Sequence, residues 1–579
     1  MSKRKVDDTA CTMKSEKEFG SESNGADADG IKQDNEIGDA KDVEWTDNNC
    51  DFHCDCDGGD DDAAADDCDG DDETEHLAID YEKGQRELAK YICSSGLPDV
   101  VTLVKNMFPS CPLDVSSVRG DCLQIYEKDK LRVKHILKNM DGQISLSVDE
   151  LRYYRRSGSD DVFMCLTAHF IDDRWNLKKW VLGFRCLTDN NCEILHSATL
   201  KTVKDWEIDS KISGLTLAES NVYNEMVEEI KDGVQQKKKL QLDGKLFCVK
   251  CCAEMFNLMA NTAYKEIRDI IDKVSLLIPW NSASVWYLTA CKLKEALELD
   301  AMGEFSSEDF YEVPSADEWE KVKCICKLVE SAEAVARSIF DTKYATANIF
   351  LHNLEELRGI LFQESVSSDS FTSKVAKKML RRLDRYLEDM FFVLSIASVM
   401  DPRYKMRYID YISSKREASD GNSRSALVLD AVHSIYSDYV NQDLEKEKSV
   451  SDSASSDSEE ELPRSTDRGG SKNSDWLQEY NQFIESNNKP PKSDLDRYLE
   501  EPVLSWTQDF NVLKWWKAES PKYPILSKMA HDFLAIPMSV ATSDEAFSTI
   551  PRVVEPRIMA SGPPLREALM CTRTWDLKQ

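Results

Sequence analysis

A chain of 579 residues with 106 acidic and 73 basic side chains, a formal charge of −33 and 41% hydrophobic residues has material for two to four domains and a sizeable core. Charge of that sign repels nucleic acid at long range, so any contact with DNA must come from a local basic surface. Eighteen cysteines without a signal-peptide pattern point to reduced intracellular thiols, and the longest apolar run, Met390 to Met400, is too short to span a bilayer.

Residues 1–75 hold 26 acidic against 7 basic side chains and almost no large aliphatics, a composition that predicts disorder. Cys50, His53, Cys54, Cys56 and Cys68 lie close together there, but their neighbours are aspartates and glycines rather than the small hydrophobic knuckle a structural zinc site needs. Lys3, Arg4 and Lys5 form a minimal basic patch of the kind that serves nuclear import, and the expected location is nuclear. Residues 76–140 turn helical. Val118, Cys122, Tyr126, Leu131, Val133 and Ile136 give an apolar stripe between charged faces.

Residues 141–252 alternate short apolar segments with turn chemistry. QISLSVDE, VFMCLTAHFID and KKWVLGFRCL read as three consecutive strands, and KISGLTLAES as a fourth after a longer loop. A charged helix from about Glu219 to Asp232 follows, and LFCVKC is a fifth strand. Cys248 and Cys251 form a CxxC without a second ligand pair, which suits buried thiols better than zinc. Residues 253–445 read as helices throughout, residues 446–475 as a polar Ser/Asp-rich linker.

The last unit, 476–579, carries the densest apolar pattern. Pro524 opens a helix, Ile525, Leu526, Met529, Phe533 and Leu534 recur at helical spacing, and Pro537 stops it. Leu513 and Trp516 line one face of a preceding short helix. So much apolar surface in so few residues predicts a cover from outside the block, either the rest of the chain or a second copy. Leu513, Trp516, Ile525, Met529, Phe533 and Leu534 are the expected contacts of a homodimer.

The order DLDRYLEEP, FNVLKWW, SPKYPILSKMAHDFLAIP and TSDEAFST closely resembles the C-terminal dimerisation region of hAT-superfamily transposases of the RICESLEEPER type. KYATANIFL and SIASVMDPRYK resemble further family motifs, so the likeness extends over most of the chain. It implies an RNase H-like α/β core, which the strand order above also fits, interrupted by a large all-helical insertion and followed by a helical dimerisation region. It also implies an N-terminal BED-type zinc finger that binds DNA, yet residues 1–75 contain no CxxC with a spaced histidine pair.

Such transposases cut DNA with two Mg²⁺ ions held by three carboxylates. The resemblance places these acids at Asp149, position 218 and position 544. Asp149 is kept, position 218 is Ala218, and Asp544 stands where a glutamate is expected. Glu254 replaces a family histidine, and Trp280 matches a tryptophan that stacks on a flipped base in such enzymes. The reading is therefore a transposase-derived protein without cleavage activity or cofactor, a homodimer with weak phosphate-directed DNA binding and no membrane association. An active transposase with displaced carboxylates, which would need Mg²⁺, and an interaction module without DNA contact are the alternatives.

Overall fold

The computed structural model describes residues 81–577 apart from 111–112, 155–159, 188–191, 219–223, 279–285, 306–311, 341–345, 417–420, 455–478, 481–491, 508 and 541–554. The acidic segment 1–75 with its cysteines, Glu219, Trp280 and Asp544 lie outside the described residues.

Five strands form one mixed sheet: β1 (Ile144–Tyr154), β2 (Asp160–Ile171), β3 (Leu177–Leu187), β4 (Ile212–Leu217) and β5 (Cys248–Lys250), in the order β3-β2-β1-β4-β5. β1 to β3 form an antiparallel meander, while β4 and β5 add in parallel to the other side of β1. Parallel strands need crossovers, and helices supply them. α4 (Cys192–Trp206) links β3 to β4, and α5 (Asn224–Gln235) leads from β4 towards β5. The longer loop expected before the fourth strand is thus a 15-residue helix, and the charged helix is described over Asn224–Gln235.

Alternation along β1 separates two faces. Leu146 and Val148 point, with Leu166 and Ala168 of β2, to the apolar core shared with Leu195, Val203 and Trp206 of α4. α4 lies so close that a Cβ at Gly183 on β3 would come within 2.8 Å of Thr202 Cγ2, and only glycine leaves that space. The N-terminal helices α1 (Tyr81–Ser95), α2 (Val100–Met107) and α3 (Val115–Asn139) pack as a small unit beside the sheet. Asp114 caps α3 by accepting from the Ser117 N–H at 2.9 Å.

The insertion follows β5 as α6 (Cys252–Tyr264), α7 (Arg268–Leu277), α8 (Trp286–Met302), α9 (Ala316–Phe340), α10 (Phe350–Ser365), α11 (Ser370–Asp389), α12 (Phe391–Val399), α13 (Lys405–Arg416) and α14 (Gly421–Ala454). α14 runs past position 445, so the polar stretch expected as linker from 446 begins as helix. The C-terminal block adds α15 (Asp494–Glu500), α16 (Val512–Glu519), α17 (Pro524–Leu534), α18 (Pro556–Met559) and α19 (Pro563–Thr572).

The six expected dimer contacts are core residues of the chain itself. Trp516 and Met529 are 0% exposed, Phe533 and Leu534 1%, Leu513 3%, and Ile525 is partly buried against the same cluster. The surface that outruns what the block alone can cover is met by the insertion of the same chain, one of the two covers the sequence allows. Two motifs apparent in the sequence meet at the seam. Trp516 Nε1 donates to the Met400 carbonyl at 2.8 Å and the Tyr498 hydroxyl to the Val399 carbonyl at 2.9 Å. Lys405 Nζ donates to the carbonyls of Tyr498 (2.5 Å) and Glu501 (3.0 Å), the free acceptors at the end of α15. The backbone of Lys405 is left-handed (φ 48°), a strained conformation for a side-chain-bearing residue.

Asp401 anchors this seam. It is 0% exposed and accepts from Asn348 Nδ2 (2.7 Å) and from Arg403 N (2.9 Å), Nε (3.0 Å) and Nη2 (2.7 Å). The guanidinium, so held, lies 4.5 Å from the Trp506 ring centroid and 4.6 Å from that of Phe510.

The end of the block serves another role. Thr574 Oγ1 accepts from the Val181 N–H (2.9 Å), Trp575 Nε1 donates to the Val181 carbonyl (2.9 Å), and Asp576 accepts from Trp180 Nε1 (3.0 Å). Residues 574–576 therefore occupy the outer edge of β3, where an uncovered strand would expose unpaired backbone groups. Among the described residues no helix is long and apolar enough to cross a membrane.

Candidate active site

Strand register fixes what stands beside Asp149. β1 and β4 are parallel with Ser147 opposite Thr216, so two residues further on Asp149 is level with Ala218. Asp149 is half-buried in β1 opposite Cys165, and Ala218 is the first residue beyond β4. Asp149 and position 218, two of the three places expected to hold acids, thus stand side by side in the fold. One offers a carboxylate and the other a methyl group. A hard divalent cation takes oxygen ligands, and a methyl group contributes none. Among the described residues no group of three or more His, Cys, Asp or Glu side chains is arranged to hold a metal ion.

The approach to the third expected acid is held in place. The Cys252 N–H donates to the Met538 carbonyl (2.8 Å), and Cys251 Sγ accepts from the Val540 N–H at 3.4 Å while lying 3.4 Å from Ser539 Oγ. Cys251 of the CxxC is therefore a buried thiol pinning residues 539–540 at the end of β5, four residues before Asp544. Glu254, in the first turn of α6, accepts from Asn257 Nδ2 at 3.4 Å.

Behind Asp149, on the same face of the sheet, the strands bury polar groups that pattern reading did not single out. Ser147 Oγ and His169 Nε2 share a 2.8 Å hydrogen bond, and Thr216 Oγ1 donates to the Pro537 carbonyl at 2.7 Å. The sequence signal for His169 was one imidazole in the apolar run VFMCLTAHFID, and its partner depends on register that no spacing reveals. Burial, with a smaller contribution from Lys179, pushes the His169 imidazole down to about 3. Between about pH 3 and 6.5 the unfolded chain therefore binds a proton that the folded chain does not. The stabilisation is fully present above pH 6.5 and is lost as pH falls through that window, by about 2 kcal/mol at pH 5. Urea midpoints at pH 7 and pH 5 should lie closer together in His169→Asn than in the unsubstituted protein. Equal gaps would show that this imidazole does not titrate as its burial requires.

Three family models match the chain. Residues 494–575 match the hAT family C-terminal dimerisation region, residues 348–439 the hAT-like transposase RNase-H fold, and residues 155–246 the ZBED1 RNase-like domain. The second match falls on the helical insertion, from Asn348 to Tyr439, while the sheet belongs to the third match and the residues around it. Among relatives, the zinc finger BED domain-containing protein RICESLEEPER 1 of Oryza sativa subsp. japonica is 28% identical over 552 residues, 86% of this chain and 75% of the relative. DAYSLEEPER of Arabidopsis thaliana, also a zinc finger BED domain-containing protein, is 27% identical over 548 residues, 87% of this chain and 75% of its own. The putative AC transposase of Zea mays is 26% identical over 513 residues, 82% of this chain and 62% of its own. An RNase H-like sheet, an inserted helical domain and a matching C-terminal region thus coincide with similarity along most of the sequence, and the chain is transposase-like, with homology to hAT-family and RICESLEEPER-type proteins at about 27% identity.

Proposed function

We propose that this chain is a transposase-derived nuclear protein that associates with DNA as a homodimer and has lost strand cleavage. The observation that carries the loss is the methyl of Ala218 level with the carboxylate of Asp149. Two-metal catalysis stabilises both the attacking and the leaving oxygen, and one missing ligand removes the geometry on which that depends. Self-association is supported by the match of residues 494–575 to a dimerisation region. Because Leu513, Trp516, Met529, Phe533 and Leu534 are covered by their own chain, the large apolar groups this block leaves for a second copy, among its described residues, are Val503, Leu504 and Trp506. DNA contact is supported by likeness to a putative transposase and would be directed at phosphates, which position a protein without reading sequence.

Purified protein incubated with Mg²⁺ or Mn²⁺ and labelled hairpins, nicked duplexes or blunt ends should leave every substrate intact over hours. Cleavage that disappears in Asp149→Ala would overturn the reading and make the chain an active transposase with its carboxylates displaced.

A further inference from the structure

α11 carries a charge pattern at odds with the rest of this acidic chain. Lys374, Lys377, Lys378, Arg381, Arg382 and Arg385 recur at intervals of three and four, which places them along one side of the helix, while Val375, Ala376, Met379, Leu383, Tyr386 and Leu387 are buried on the other. Asp369 caps the helix through the N–H groups of Phe371 and Thr372. From Lys374 to Arg385 the stripe is about 16 Å long at 1.5 Å per residue, the axial length of roughly five phosphates of one DNA strand.

A basic face in a protein of charge −33 invites internal neutralisation, and part of the stripe has it. Lys374 and Lys378 both pair with Glu266 at the end of α6. Lys377, Arg381, Arg382 and Arg385 are exposed and, among the described residues, make no ion pair. The carboxylates near them are already engaged elsewhere: Asp384 with Arg358 at 2.7 Å, Glu388 with Arg424 at 2.5 Å, and Asp389 with Lys250 at 2.7 Å. Four cations are thus left directed at solvent, and the acids that would quench them are held by other cations.

Position gives the stripe a direction. Arg382 and Arg385 share a cleft with Lys250, Tyr386 and Asp389. Lys250 ends β5 opposite Leu217, the residue before Ala218. The cationic track therefore runs from the ends of β4 and β5, beside Ala218, outwards along α11.

We propose that this face of α11 is a docking surface for the phosphate backbone of duplex DNA, through Lys377, Arg381, Arg382 and Arg385. The proposal rests on the DNA-associated reading above and locates its contact. Arginine forks match phosphate oxygens bidentately, and three of the four groups are arginines. No base-reading element accompanies them, so the binding is indifferent to sequence and strongly dependent on salt.

The test uses the full chain with Lys377, Arg381, Arg382 and Arg385 all changed to glutamine, and as control a chain with the exposed Lys105, Lys321, Lys514 and Lys517 changed likewise. Circular dichroism and thermal melting should match the unsubstituted protein for both, since all eight side chains are exposed. Anisotropy of a labelled random-sequence duplex, followed from about 50 to 200 mM salt, gives the slope of log affinity against log salt. Each lost phosphate contact should reduce that slope by about 0.9, so the α11 variant should lose roughly 3.6 and the control almost none. An α11 variant with an unchanged slope overturns this docking face but leaves the DNA-associated reading standing. A variant that binds more tightly overturns it too. An unsubstituted protein that fails to bind the duplex even at low salt removes both the face and the reading it rests on.

Discussion

Phe533→Asp should yield an unfolded or aggregated chain rather than a folded monomer. Phe533 is 1% exposed in the core that α17 shares with the insertion. Truncating its burial forfeits roughly 1.5–3 kcal/mol, and placing an unpaired carboxylate there costs several more. Against a total stability of about 5–15 kcal/mol, that sum is enough to unfold the unit. Circular dichroism with light scattering would show lost helical signal together with large particles. A soluble, helical, monomeric Phe533→Asp would mean that this side chain meets a second copy after all. Trp506→Asp is the converse case: Trp506 is 58% exposed, so its replacement should keep the fold and convert a dimer into a monomer.

Asp401→Ala should be the most damaging exchange of a single polar side chain. It leaves Arg403 as a buried cation without its partner and Asn348 Nδ2 without an acceptor. Breaking a buried pair from one side typically costs 3–5 kcal/mol. The urea midpoint should fall accordingly, and Trp506 and Trp516 fluorescence should change in the same transition, because both indoles sit against this corner. Removing both charges in Asp401→Ala/Arg403→Met should recover much of the loss, since no orphaned charge remains. A double variant no better than Asp401→Ala alone would show that the carboxylate matters for Asn348 and the turn rather than for the guanidinium.

The strands were legible because their apolar runs are bounded by SGSDD, DDRWN and TDNNC, and the sheet forms from those runs. α4 was not, for a reason visible in its side chains. Thr199 and Thr202 occupy inward positions and satisfy their hydroxyls on the Leu195 and Ala198 carbonyls, so the buried stripe does not read as apolar. The apolar face of α17 was equally plain, but what covers it is set by residues more than a hundred positions away, such as Met400 against Trp516. Periodicity tells which face is hidden and leaves open what hides it. At the candidate site, the levelling of Asp149 with position 218 followed from resemblance and is reproduced by register, whereas the bond between Ser147 and His169 had no counterpart in spacing.

The clasp of residues 574–576 on β3 has a temporal consequence. Val181 and Trp575 are 394 positions apart, and a ribosome adding about 5–20 residues per second needs roughly 20–80 s between them. Throughout that interval the nascent meander carries an open edge of the kind that recruits foreign strands. This protein depends on residues made long after β3 to cover a sheet edge begun more than a minute earlier at the slower rate, so a ribosome stalled within the insertion would leave a product poised to aggregate.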